Sequence, residues 1–344
     1  METDFTPIQI AILTAFVCSF LCTRLLITAH LNDSPDDKRK LHNDHKATSG
    51  GLAIIFGFAV STIYMLINTS IMVDNQIYIT LGIGACFGLI GLLDDLFTLK
   101  TSIRLVLAIF IAACVAGTNL RVEKIILWEN IILPLGMIFG AFGTILWIVY
   151  MINAVNFMDG VNGISLGSMA VSFFGLAFLT FHHGDLNSSV MMLCLACAGL
   201  GFLVYNVVQG SIFAGDSGSY FYGGTFAIMG LYAVRAGVSP FAIGLCVLPI
   251  ISETIFTILR RIKLGENIFS AHNKHLYQII ARSGKPHLYV ASIWWAMTLI
   301  CVVIANIIDT IAPKYILFGF VILVLVYGIG AKIMRPKLLA EIPN

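Results

Sequence analysis

The sequence predicts an all-α polytopic membrane protein with about eleven transmembrane helices, its N-terminus outside and its C-terminus cytoplasmic. Three observations predict this. Of 344 residues, 58% are hydrophobic and only 11% charged, whereas a soluble domain carries roughly 25% charged residues. Apolar runs of about 20 residues recur along nearly the whole chain, each long enough to cross a hydrocarbon core roughly 30 Å thick. Finally, the basic residues are distributed unequally between alternate loops.

The runs lie near 7–28, 50–68, 76–93, 103–119, 131–152, 161–181, 189–208, 218–234, 238–259, 288–308 and 314–334. The first is too long for a signal-peptide core and has no basic region before it, so it reads as a retained helix. Crossing the bilayer at each run puts the loops 29–49, 94–102, 153–160, 209–217 and 260–287 and the C-terminal tail on one face. That face and its helix ends carry fifteen Lys and Arg, Lys38 to Lys40 and Arg260, Arg261 and Lys263 among them. The opposite face carries four: Arg121, Lys124, Arg235 and Lys314. By the positive-inside rule the first face is cytoplasmic. A net charge of +2 gives no reason to expect a nucleic-acid partner. All eight cysteines sit in apolar runs, and the Cys194-x-x-Cys197 pair reads as buried small hydrophobes rather than a metal or redox motif.

The acids gather on the cytoplasmic side. Asp94 and Asp95 end the third run, at the negative end of a helix macrodipole, where a bound cation or a proton would relieve two adjacent carboxylates; a solvated pair at the membrane surface is the plainer alternative. Asn153, Asn156, Asp159 and Asn162 recur every three residues and would form a drifting polar stripe on a helix, with Gly160 and Gly163 letting the backbone unwind or approach a ligand. Four amide or carboxyl groups in apolar surroundings favour a polar ligand over helix packing alone. Gly215-Asp216-Ser217-Gly218-Ser219 suits a tight turn presenting one carboxylate to a metal or to phosphate oxygens. In the last long loop His272 and His275, spaced to share a helix face, lie close in sequence to Arg260, Arg261, Lys263 and Lys274, a set able to bind a diphosphate. Lys40 and His42 precede the second run as weaker phosphate candidates, beside their role as a positive-inside anchor. A secondary transporter, the main alternative, predicts charges near the bilayer midplane and repeated halves. The acids here lie at one face, and no internal repeat is visible.

In this order, from about Asp33 to Arg282, these segments resemble the polyprenyl-phosphate N-acetylhexosamine-1-phosphate transferase superfamily, of the glycosyltransferase family 4 type. It includes the initiating enzymes of bacterial O-antigen, capsule and common antigen. The resemblance rests on the Asp94-Asp95 pair, the Asn153-x-x-Asn156-x-x-Asp159-Gly run, Gly215-Asp216-x-Gly-Ser and the His-containing last loop. It implies a single integral membrane transferase domain over 1–344 with cytoplasmic active-site loops near 29–49, 94–102, 153–163, 209–219 and 260–287. It further implies transfer of sugar-1-phosphate from a UDP-N-acetylhexosamine to undecaprenyl phosphate, releasing UMP. The cofactor implied is Mg²⁺, with Mn²⁺ as an option. The partners are the two substrates and the bilayer, with a homodimer left open.

Residue by residue, the resemblance makes Asp216 a metal ligand and gives Asp94 and Asp95 catalytic work on the lipid phosphate or a place in the metal's surroundings. Asn153, Asn156, Asp159 and Asn162 would belong to the nucleotide pocket, and His272 and His275 would contact the diphosphate or sugar. The implied setting is the bacterial inner membrane, at the first step of a cell-surface polysaccharide such as lipopolysaccharide O-antigen or a cell-wall polymer. Two departures leave the sugar open. Asn162 stands where much of the family has Asp, and the histidines are separated, His272-x-x-His275, rather than adjacent.

Overall fold

The structure is a computed structural model that describes residues 6–29, 50–69, 76–128, 131–267, 270, 272–340 and 342. Its helices are α1 (Thr6–Thr28), α2 (Gly50–Asn68), α3 (Gln76–Phe97), α4 (Thr101–Ala116), α5 (Gly136–Phe157), α6 (Ile164–His182), α7 (Leu186–Leu203), α8 (Gly215–Ala236), α9 (Pro240–Cys246), α10 (Leu248–Lys263), α11 (Leu276–Arg282), α12 (His287–Ile311) and α13 (Ile316–Ala340). A π-helical turn, Val204–Gln209, continues α7. Among the described residues, eight helices are long and apolar enough to cross a membrane, or nine when the bent pair α9–α10 counts as one crossing. The chain is thus an all-α, multi-pass membrane protein.

Small side chains decide which helices touch. Ala11, Ala15, Ser19 and Thr23 recur along one face of α1 and are all buried. With no apolar driving force between helices in lipid, close backbone approach is what holds such faces together. Gly57 of α2 meets this stripe at a point where a Cβ would lie 2.6 Å from the Ala15 carbonyl oxygen, and Gly201 of α7 abuts the Phe16 carbonyl. The central element is α8, buried continuously from Ser217 to Ala233 and packed most extensively against α3 and α5. Its glycines explain the fit. Gly224 receives the Phe87 ring, and a Cβ on Gly223 would stand 2.8 Å from the Ile152 Cα. A helix enclosed by other helices does not face lipid, which is why its composition is less apolar than that of the outer spans.

Of the eleven expected spans, those matching α4 and α8 are not among these eight or nine long apolar helices, and two others differ in their course. The fifth was expected from residue 131, but 131–134 pair instead with 124–128 as an antiparallel hairpin of β1 (Lys124–Trp128) and β2 (Ile131–Pro134). Leu135 and Gly136 donate their N–H groups to the Glu123 carbonyl at 2.8 and 3.1 Å, closing the hairpin, so α5 starts at Gly136. Trp128 packs edge-on against Tyr315 and Phe318, which anchors the hairpin to the start of α13. The ninth expected span, 238–259, is broken: α9 and α10 meet at 84°. Pro249 has no N–H to continue the helical ladder, and Ser172 of α6 donates to the Cys246 carbonyl at 2.6 Å. At the same end as the hairpin, His183 Nε2 lies 2.7 Å from Asp309 Oδ2 and ties α6 to α12. The acids singled out from sequence lie at the other end.

Candidate active site

Two helix ends meet head to tail. The carboxyl end of α3 abuts the amino end of α8, and Gly91 makes the approach feasible, because a Cβ there would strike the Asp216 carbonyl. Asp95 accepts hydrogen bonds from the N–H groups of Asp216 (2.8 Å) and Ser217 (3.0 Å), capping α8 from a residue 121 positions away. The carboxylate that is poorly placed on its own helix dipole is therefore well placed on its neighbour's.

Asp94 faces the other way. Its Oδ1 accepts from the Leu99 N–H at 2.7 Å in a turn where Thr98 adopts positive φ, and its Oδ2 pairs with Arg104 of α4. The same Arg104 nitrogen, Nη1, reaches Asp216 Oδ2 at 2.8 Å. Asn156, in the last turn of α5, donates to Asp216 Oδ1 at 2.8 Å and to Ser219 Oγ at 3.0 Å. Side chains of α4 and α5 thus converge on the Asp216 carboxylate of α8, and Arg104 bridges it to Asp94 of α3.

Asp159 lies beside this group, in the turn between α5 and α6, and accepts from Ser165. Burial raises its pKa to about 6, the Ser165 hydrogen bond partly opposes the rise, and the Asp95 charge adds to it. The turn itself is held from outside. Tyr277 donates to the Phe157 carbonyl at 2.7 Å, its hydroxyl leaves no room for a Cβ on Gly160, and Trp295 donates to the Gly163 carbonyl at 2.8 Å.

The polar stripe expected at 153–162 is divided. Helix α5 ends at Phe157, so only Asn153 and Asn156 are helical. Asn153 donates to the Val149 carbonyl of its own helix at 2.7 Å, an ordinary resting place for an amide among apolar neighbours. Asn162 meets His287 only through its backbone N–H, at 3.5 Å. Nor do the two histidines share a helix face: residues 272–274 are irregular and His275 caps the start of α11. Their rings still lie 5.0 Å apart. His275 is buried and sits 3.3 Å from Glu253, while His272 is half-exposed. Burial, followed by the nearby His275, Arg261 and Lys274 charges, lowers the His272 pKa to about 4, so it is neutral at pH 7. Asp216 stands in the first turn of α8 rather than in a free turn, after Gly215 at φ +71°. Lys40 and His42 lie outside the described residues.

Sequence reasoning missed Arg104 as a site residue, having counted it only among the cytoplasmic cations. The signal was present: a lone cation in the apolar run Ser102-Ile-Arg-Leu-Val needs a partner. Ser165, Ser219 and Tyr277 carried no such signal.

Among the described residues no three His, Cys, Asp or Glu side chains gather as a closed metal site. The donor set nonetheless fits Mg²⁺, which keeps several waters and takes one or two carboxylates. Arg104 Nη1 stands in for such a cation, touching one oxygen each of Asp94 and Asp216.

A polytopic helical bundle with partly buried carboxylates, an amide and a cation gathered at one end defines an integral membrane protein with an enzyme-like polar site. The sequence model of glycosyl transferase family 4 matches residues 77–234, which span Asp94, Asn156, Asp159 and Asp216. The chain is 28% identical over 287 residues to a probable undecaprenyl-phosphate N-acetylglucosaminyl 1-phosphate transferase of Bacillus subtilis, covering 81% of this chain and 77% of the relative. It is 26% identical to a decaprenyl-phosphate N-acetylglucosaminephosphotransferase of Mycobacterium leprae, covering 83% of this chain and 78% of the relative. It is 29% identical to a phospho-N-acetylmuramoyl-pentapeptide-transferase of Staphylococcus carnosus, covering 74% and 82%. The chain is thus similar, over a stretch that includes the polar cluster, to proteins named as polyprenyl-phosphate N-acetylhexosamine-1-phosphate transferases.

Proposed function

We propose that this protein transfers N-acetylhexosamine-1-phosphate from a UDP-sugar, UDP-N-acetylglucosamine first among candidates, to undecaprenyl phosphate, giving undecaprenyl-diphospho-sugar and UMP. In this reading the whole chain is one transferase unit in the bacterial inner membrane and starts a cell-surface polysaccharide. The observation that carries it is the Asp94–Arg104–Asp216–Asn156 cluster at one end of the bundle. A water-soluble nucleotide and a lipid whose phosphate rides at the membrane surface can meet only at such an end.

An oxygen of the lipid phosphate attacks the β-phosphorus, and the bond to the UMP oxygen breaks. Asp216, with Asp94 as its neighbour, would hold Mg²⁺, which would supply charge neutralisation for the diphosphate. Asn156 fixes the Asp216 carboxylate, and Asp95 fixes the α8 terminus that carries it. Asp159 and the Gly160 turn form the wall assigned to the nucleotide, with Asn153 and Asn162 at its margins. His272, neutral and half-exposed, is the better of the two histidines for contact with the diphosphate or sugar, and His275 positions the loop. A phosphate monoester has a second pKa near 6, so the lipid phosphate is mostly dianionic at pH 7 and positioning outweighs base catalysis. Incubation of the purified protein with UDP-N-acetylglucosamine, undecaprenyl phosphate and Mg²⁺ should release UMP. No release with any UDP-N-acetylhexosamine would remove this reading.

Asp159 makes the activity pH-dependent. With a pKa of about 6 it is ionised at pH 7.5 and gains its proton as pH falls. If the carboxylate form serves the nucleotide, kcat/KM should fall by about tenfold per pH unit below that point. Because the lipid phosphate titrates in the same range, the wild-type acid limb should be steeper than that of Asp159→Asn, which should be slow at all pH values; limbs of equal slope in the two exclude Asp159 as a contributor.

Eleven crossings complete the proposed topology: the nine above, together with α4 and the enclosed α8. The basic asymmetry then puts the cluster in the cytoplasm. A cysteine at Asn273 should react with an impermeant maleimide only from the cytoplasm, and one at Asn187 only from outside. Reaction of both from one side contradicts the topology.

A further inference from the structure

We propose that Arg104 is the built-in counter-ion of the metal-free site, and that a divalent cation binds Asp216 only by displacing it. The inference rests on the reading of Asp216 as metal ligand and adds to it a competitor supplied by the protein's own chain. The geometry is specific. A single atom, Nη1, bridges Oδ2 of Asp94 and Oδ2 of Asp216, two carboxylates brought together from α3 and α8. Mg²⁺ binds carboxylate oxygen at about 2.0–2.1 Å, so an ion on those two oxygens would occupy the place of Nη1 itself. Cation and guanidinium exclude one another there by volume as well as by charge.

A second observation marks the bridged state as one the side chain can leave. Arg104 Nε is buried and has no hydrogen-bond partner among the described residues. A buried donor without an acceptor is unfavourable, so the bridge is held by its two carboxylates against an unsatisfied group on the same side chain. On the exposed side, Thr101 Oγ1 lies 3.4 Å from Arg104 Nη2, one turn back along α4, and gives the guanidinium a partner in the direction of exit. Arg104 thus keeps two carboxylates from facing each other unneutralised when no metal is bound, and sets a threshold that the metal must exceed.

The test uses the full-length protein in detergent, stripped of metal and without nucleotide. Mn²⁺ binding is followed by electron paramagnetic resonance in wild type, Arg104→Gln and Asp216→Asn. Removing a unit positive charge from between two partly buried carboxylates should tighten Mn²⁺ binding by about tenfold or more in Arg104→Gln. Unchanged or weaker binding in that variant overturns the proposal. Asp216→Asn separates the two ideas: retained Mn²⁺ binding there removes Asp216 as ligand, whereas loss there without a gain in Arg104→Gln removes only the counter-ion. Should Arg104→Gln fail to fold, wild type decides alone. Mg²⁺ should increase modification of Arg104 by phenylglyoxal, read by peptide mass spectrometry, and an unchanged or decreased yield overturns the proposal.

Discussion

Asp216→Asn should reduce turnover by roughly a thousandfold or more while leaving the fold intact. The substitution preserves shape and keeps an oxygen for the Asn156 amide, 2.8 Å from Oδ1 in the parent. It removes the charge that faces Arg104 and that a hard cation prefers. Since about 1.4 kcal/mol corresponds to a factor of ten in rate, losing some 4 kcal/mol of charge stabilisation at the leaving group gives that thousandfold. UMP release under saturating substrates measures the loss, and calorimetry with and without Mg²⁺ locates it. Wild type should bind UDP-sugar more tightly with Mg²⁺, and Asp216→Asn should not. If the Asp216 variant keeps the Mg²⁺ effect and Asp94→Asn loses it, the metal belongs to α3 and the assigned roles are exchanged.

Glu253→Ala should destabilise the site's outer wall rather than its chemistry. Glu253 is 1% exposed. It accepts from the Leu276 N–H at 2.6 Å, from Thr257 at 3.1 Å and from Tyr327, with His275 Nδ1 at 3.3 Å and Arg335 Nη2 at 3.9 Å. Those partners come from α10, the last loop and α13, so one carboxylate joins three parts of the chain. Deleting it leaves the buried Arg335 without its counter-charge and the first N–H of α11 without an acceptor. Loss of one member of a buried ion pair costs about 3–5 kcal/mol. Thermal unfolding followed by tryptophan fluorescence should shift clearly downward, and trypsin should cut faster at Lys263 and Lys274. Glu253→Gln, which keeps an acceptor, should fall between. A melting point and cleavage rate equal to wild type would show that the loop is held by other contacts.

Legibility from sequence differed sharply between fold and site. Helical class and the membrane setting follow from local quantities, the length of an apolar run and the scarcity of charge within it, and these need no knowledge of neighbours. The gathering of acids at one end was also visible, because Asp94, Asp95, Asp159 and Asp216 each sit at the boundary of an apolar run. The hairpin at 124–134 was missed because a short Ile-rich stretch reads equally well as the beginning of a span. The bend at Val247 was missed because the apolar run 238–259 is continuous in hydropathy, and Pro249 near its middle was the one local sign of a break.

What each acid does depended on tertiary structure alone. Asp94 and Asp95 are neighbours of identical type, yet one caps a helix 121 residues away and the other faces a guanidinium. Asn153 and Asn156 are one helical turn apart, and only Asn156 reaches Asp216. A side chain's partner is set by which helix end lies opposite it and by how closely Gly91 allows α3 and α8 to approach. Hydrophobic length is a property of the segment and is written in it. Hydrogen-bond pairing between helix ends is a property of the packing, and it exists only once distant segments have been brought within 3 Å.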